Sequence, residues 1–368
     1  MIIDFFGLNK AYVEQKNKIL YIIDSTLTKE EFLRGQSVQQ LEKECSIVLE
    51  RKYAIAVNSG TDALLLSLRS LGIGKGDEVI VSAFSFIASV SPILMVGATP
   101  VFIDIDPETY LMDLEKLESA ITAKTKAIIA VQLYGQCIDP AQLESIAEKY
   151  NLWLIEDAAQ AFGSERGNKV AGSIGNISAV SFDVSKVVGG LTTGGMVLTD
   201  DYELYTVATK LRSHGRDSTT GDFRKLGYNS QMSSINAAVL IWKISQEEKR
   251  RERRIGLAQR YMKNLVHLPE IKCTTIVDNG VHNFHKFVIR ANHRDDLKEF
   301  LKKTGIETKI HYIKPLPHYE FIKEKSRIYS DIVHTEKASK EVLSLPIYPE
   351  LQEEEVDYIT DQIIEFYK

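Results

Sequence analysis

The fold class predicted by this chain is a mostly parallel β-sheet flanked by helices, followed by a smaller C-terminal α/β domain. Three observations lead there. From about residue 50 to 200, short apolar runs of strand length alternate with helical segments, as in repeated βα units. The polar residues best suited to chemistry fall just after those runs, where parallel sheets place ligands. The length, 368 residues, exceeds one ordinary core. Two domains are therefore expected, a large one over 1–245 and a small one over 246–368, with segment 1–35 a candidate to pack on the small one.

Taken in order, strands are expected at 54–57, 79–82, 100–104, 127–131, 153–156, 179–182 and 196–199. Helices are expected at 61–71, 86–96, 114–122, 140–150 and 201–213. Asp113 is a good N-cap for the third of these, and Asp139-Pro140 opens the fourth with proline in its first turn. Residues 79–103 carry no charge, but Pro92, Gly97 and Pro100 break that stretch into strand, loop, short helix and strand rather than a membrane span. A long helical stretch from about 234 to 265 leads into the second domain. Its mixed charge run, Glu247 to Arg254, reads as a solvated helix face laced with i,i+4 pairs. Extended segments follow at 284–290, 305–312 and 341–348, and an amphipathic helix at 352–366.

Composition narrows the function. Hydrophobic residues at 44% and charged residues at 26% describe an ordinary globular protein, and a net charge of −5 argues against a general nucleic-acid binder. Cys45, Cys137 and Cys273 are scattered, with no CxxC pair, so neither a disulfide framework nor a metal site is expected. The N-terminus lacks the basic region and apolar core of a signal peptide, so a cytoplasmic location with no membrane partner is expected.

Chemistry concentrates in four places. Asp157 closes the apolar run 152–157, where an unpaired carboxylate is costly unless something cationic meets it. Lys186 follows the strand at 179–182, ahead of the pairs Gly189-Gly190 and Gly194-Gly195. Those glycines read either as a flexible turn or as space for a bulky substrate. An acid ending one buried strand and a lysine after a later one is what pyridoxal phosphate chemistry needs. The lysine forms an imine with the cofactor aldehyde, and the carboxylate keeps a proton on the ring nitrogen. Asn58-Ser59-Gly60-Thr61-Asp62 follows a strand and opens a helix, which suits a phosphate, although by itself it is an ordinary cap. Phe86 stands where a ring could stack on a cofactor, and Gln160 where an amide could meet a ring hydroxyl or phosphate.

These residues carry a resemblance. The runs Gly60-Thr61-Asp62-Ala63-Leu64, Gly74-Lys75-Gly76-Asp77-Glu78-Val79-Ile80 and Gly97-Ala98-Thr99-Pro100-Val101-Phe102 stand in order. After them come Glu156-Asp157-Ala158-Ala159-Gln160, Ser181-Phe182 with Lys186, Gly227-Tyr228-Asn229, and Leu345-Pro346 with Tyr348-Pro349. Together they resemble the DegT/DnrJ/StrS family of pyridoxal-phosphate-dependent nucleotide-sugar aminotransferases, of the aspartate-aminotransferase fold type (fold type I). The resemblance implies that Lys186 and Asp157 are catalytic. It implies that Gly60, Thr61, Phe86, Gln160 and Ser181 hold the cofactor together with them. It further implies that Asn229 reaches the neighbouring subunit's phosphate site in a homodimer with shared active sites. His311, Tyr312 and His318 would lie on the substrate side, facing a nucleotide-sugar and an amino-acid donor, L-glutamate by expectation. The chain departs from the family pattern at Asp183, Val187, Thr193 and Gln231, where His, Asn, an acid and Arg are common. Two other readings stay open: a sugar dehydratase of the same fold, whose members replace the lysine by histidine or cluster cysteines, and a non-catalytic cofactor-binding regulator.

Overall fold

The computed structural model describes residues 1–29, 32–33, 35–217 and 219–368. Its centre is a sheet of seven strands: β1 (Tyr53–Val57), β2 (Glu78–Ser82), β3 (Thr99–Ile103), β4 (Thr125–Val131), β5 (Trp153–Asp157), β6 (Ile177–Ser181) and β7 (Gly195–Thr199). They stand in the order β1-β7-β6-β5-β4-β2-β3, and the short Arg327–Ile328 adds an eighth at the β3 edge. Only β7 runs against its neighbours; the other pairs are parallel. Helices cover the sheet, so its strands are buried along nearly their whole length. That is why they read as apolar runs and not as alternating patterns.

Because β7 is antiparallel, its first residue lies at the same edge as the last residues of β1 and β6. Gly195 is the partner of both Val57 and Ser181. The segments after β1, β2, β5 and β6 therefore converge. The expected caps form: Asp113 accepts a hydrogen bond from Glu115 N–H (3.1 Å) and Asp139 from Gln142 N–H (3.0 Å).

The structure differs from the sequence reading in three places. The helix expected at 86–96 is a 3₁₀ turn, Ile87–Ser89, followed by the short helix Ser91–Met95 with Pro92 in its first turn. The uncharged stretch 79–103 is thus cut up, and no helix among the described residues is long and apolar enough to cross a membrane. The long helix is two, Ser234–Ile244 and Glu247–Leu265, separated where Ser245 Oγ turns back to Trp242 O (2.7 Å). Two helices that the sequence reading left unassigned, Leu8–Thr28 and Gln36–Val48, pack on Ser234–Ile244.

A separate apolar cluster gathers Leu257, Tyr261, Leu301 and Ile359 around the antiparallel strands β8 (Ile271–Cys273), β9 (Phe287–Ala291) and β10 (Val342–Leu345). Ile3 belongs to this cluster, Ile3 N–H donates to Gly305 O (2.9 Å), and Lys10 pairs with Glu355 (2.6 Å).

Candidate active site

Asp157 ends β5 and is 4% exposed. Both of its oxygens are held: Ser89 Oγ donates to Oδ2 (2.7 Å) and Ala159 N–H to Oδ1 (3.2 Å). Ser85 stands 2.9 Å behind Ser89. Burial pushes the carboxyl upward in pKa, and Ser89, Ala159 N–H and the nearby charge of Lys186 pull it back.

Lys186 sits in the turn after β6. Asp183 builds that turn by accepting from Ser185 N–H (3.0 Å) and Ser185 Oγ (2.6 Å), and Lys186 N–H donates to Asp183 O (2.9 Å). Burial holds the Lys186 ammonium below the usual lysine range, against the attraction of Asp157 and Asp183. The free amine needed for attack on an aldehyde is favoured accordingly.

Gly190 and Gly195 are filled by the chain's own packing and leave no space for a substrate. A Cβ on Gly190 would stand 2.4 Å from Asn236 Oδ1, and one on Gly195 would stand 2.3 Å from Ser59 O. Asn236, buried, pins the loop by accepting from Leu191 N–H (2.8 Å) and donating to Thr193 O (3.0 Å). These glycines let the chain's own segments close around Lys186.

At the start of the helix Gly60–Ser70, Ser59 caps Asp62 N–H (3.1 Å). Gly60 lies so close to Ser181 that a Cβ would come within 2.7 Å of the serine Cβ. The Ser181 hydroxyl accepts from Asp183 N–H (3.3 Å), which ties the Gly60 site to the Lys186 turn. Among the described residues, no hydrogen bond engages the half-buried Thr61 hydroxyl. Ser230 bridges Asn58 N–H (3.2 Å) and Asp62 (2.6 Å), while its neighbour Asn229 is exposed and accepts from Gln231 Nε2 (3.0 Å).

Phe86 is 51% exposed, 6.2 Å from the Tyr312 ring. Gln160 is buried, accepting from Tyr134 N–H (3.0 Å) and donating to Tyr312 OH (3.3 Å). His311 Nδ1 meets Ser344 Oγ (2.8 Å), and Tyr134 OH donates to His311 O. Burial pushes the His311 imidazole down to about 3, so it is neutral. His318 lies apart, paired with Glu336 (3.5 Å).

A cavity of about 270 Å³ opens beside Lys186, lined among others by Phe5, Phe6, Trp242, Arg254, His285 and Lys286. The sequence reading singled out none of these six. Arg254 belongs to the charge run expected to be solvated, yet Glu247 and Arg254 are each 7% exposed; one face of that helix turns inward. Ser89 was also missed as the partner of Asp157, since a 68-residue separation leaves no local signal.

The profile of the DegT/DnrJ/EryC1/StrS aminotransferase family matches residues 13–364. The chain is 37% identical over 370 residues to a pleiotropic regulatory protein of Geobacillus stearothermophilus, covering 100% of this chain and 99% of the relative. It is 34% identical to UDP-2-acetamido-2-deoxy-3-oxo-D-glucuronate aminotransferase of Pseudomonas aeruginosa, over 95% and 96% of the two chains. With UDP-N-acetyl-3-dehydro-α-D-glucosamine 3-aminotransferase of Acidithiobacillus ferrooxidans it shares 37% identity over 98% and 97%. Among solved structures, a DegT DnrJ EryC1 StrS aminotransferase from Brucella abortus superposes with a TM-score of 0.95 at 33% identity, covering 99% of each chain. NtdA of Bacillus subtilis with bound cofactor PMP gives 0.91 at 30% identity, over 99% of this chain and 85% of its own.

Proposed function

The chain belongs to the DegT/DnrJ/EryC1/StrS aminotransferase family, and from that premise we propose the acceptor, the donor and the residues that serve them. The protein is a nucleotide-sugar aminotransferase whose cofactor is pyridoxal 5′-phosphate. The acceptor is a nucleotide-linked sugar with a keto group at C3, the position named by the two UDP-sugar relatives above and by dTDP-sugar transaminases among the relatives. The donor is an amino acid, L-glutamate.

The residues present fit the cofactor. Asp157 offers a fixed carboxylate, Phe86 an exposed ring, and Lys186 an amine whose neutral form is favoured. Ser59, Gly60 and Thr61 offer a helix start closely packed on Ser181. When bound, the group supplies an electron sink and a carrier for nitrogen. Asp157 keeps a proton on the ring nitrogen, steadied by Ser89. Lys186 takes a proton from the substrate carbon and returns it, acting as base and then acid. Gln160, held by Tyr134 N–H and Tyr312, orients a ring substituent. His311 and Tyr312 face the acceptor, and His318 lies farther out.

The observation that carries this reading is the convergence of Asp157, Ser181, Lys186 and the Gly60 helix start at one sheet edge. The same intact pair favours catalysis over a purely regulatory role, despite the regulatory name of one relative. We further place the domain division between 245 and 246, supported by the helix break and the separate apolar cluster of the later residues. The active unit is a cytoplasmic homodimer in which Asn229, exposed on its own chain, reaches the partner's phosphate site. A native mass of a single 41.5 kDa chain would sink that part.

Nucleotide keto-sugars screened with L-glutamate, with 2-oxoglutarate as the readout, test the reading. Release is expected with nucleotide-linked 3-keto sugars. Release only with 4-keto sugars would overturn the position, and none with any keto-sugar would overturn the function.

A further inference from the structure

Two cations beside Lys186 lack the partners that buried charges normally have. Arg254 is 7% exposed, and Lys286 is 6% exposed. Both line the 270 Å³ cavity that contains Lys186. Among the described residues, neither side chain makes a hydrogen bond or an ion pair within 4 Å, and Arg254 Nη1 is buried with no acceptor at all. Lys286 Nζ lies over two aromatic faces, 4.6 Å from the Phe6 ring centre and 5.2 Å from that of Phe5, and Asp183 attracts it only through space.

The cavity's carboxylates do not fill the need. Glu350 is taken by Arg250 (2.8 Å), and Glu247 leans toward Arg251 (3.8 Å); both attract Arg254 only through space. Basic side chains outnumber acidic ones around the lining. Burial and neighbouring cations hold Lys286 well below the usual lysine range, and push Arg254 down to about 10. A protein that buries cations without pairing them sacrifices stability, and an incoming anion restores it.

We propose that Lys286 and Arg254 form a carboxylate-binding subsite beside Lys186. The shared chemistry is a carboxylate on a substrate entering the cavity. It has two sources: the side chain or α-carboxylate of a dicarboxylic amino-acid donor, or the C6 carboxylate of a uronic-acid sugar. The guanidinium gives the planar, two-pronged contact that a carboxylate matches, and the ammonium gives a point charge. This rests on the amino-transfer reading for the identity of the substrates, but its test does not.

Calorimetric binding to the cofactor-loaded enzyme separates the possibilities, with glutarate as one probe and UDP-glucuronate against UDP-glucose as the other. Lys286→Met and Arg254→Met should each weaken a carboxylate ligand about ten- to a hundred-fold, the cost of a lost charged hydrogen bond, and leave UDP-glucose unaffected. Loss confined to glutarate assigns the donor carboxylate. Loss confined to UDP-glucuronate assigns the sugar carboxylate. Lys286→Arg and Arg254→Lys, which keep the charge, should each recover most of the binding and guard against a folding defect in the corresponding methionine variant. Unchanged affinities in folded variants, or a wild type that binds neither carboxylate probe, would overturn the subsite. A wild type that binds glutarate through Lys286 yet aminates no keto-sugar would sink the aminotransferase reading while keeping the subsite.

Discussion

Asp157 and Arg254 are buried alike, 4% and 7% exposed, yet one is satisfied and the other is not. Each Asp157 oxygen has its own donor, from Ser89 and from Ala159, whereas among the described residues Arg254 and Lys286 make no side-chain hydrogen bond in the cavity they line. The contrast separates two tasks. A group that must hold one fixed partner through every turnover is locked by its own chain. Groups that must receive and release a charged substrate are left open, at some cost in stability. The Lys186 turn lies between these tasks. Its backbone is fixed by Asp183 and Asn236, while its side chain lines the cavity.

The sharpest way to break the locked side is Asp157→Asn. It keeps the shape and the Ser89 contact but removes the charge proposed to hold the ring proton. Turnover should fall by about 10²–10³-fold with cofactor still bound, as when a preorganised electrostatic group is removed. Near-native turnover in steady-state assays would mean that the ring nitrogen has another partner.

Ser89→Ala probes the same side more gently. The Ser89 hydrogen bond lowers the pKa of Asp157, so its loss lets the carboxyl keep a proton to higher pH. Turnover should drop by about ten-fold, the size of one hydrogen bond to a charged group. The deficit should widen as pH falls, because Asp157 is then neutralised earlier than in the wild type. A pH–rate profile parallel to the wild type would show that Ser89 only fills space.

How much of this was legible beforehand follows the same division. Asp157 and Lys186 could be read because each closes or follows a buried strand, where a charged residue stands out against apolar neighbours. The strands were read for the same reason. Arg254 was not legible: in the run Glu247 to Arg254 all eight residues are charged, and nothing local says which face turns inward. Ser89 lies within the uncharged stretch 79–103, where nothing local marks it out. Its role depends on β2 and β5 both ending at the same sheet edge. The glycines near Lys186 read either as a flexible turn or as room for a substrate, because their neighbours, Asn236 and Ser59, are distant in sequence.

The central claim is that Lys186, and no other lysine of the cavity, bonds the cofactor. Lys243, Lys249 and Lys286 line the same space, so the claim is open to direct failure. Lys243 is turned to Gly189 O (2.6 Å), and Lys286 faces Phe5 and Phe6. Borohydride reduction of the cofactor-loaded enzyme, followed by peptide mapping by mass spectrometry, decides it. The reduced cofactor should appear on the peptide containing Lys186 alone; finding it on Lys243, Lys249 or Lys286 would overturn the assignment.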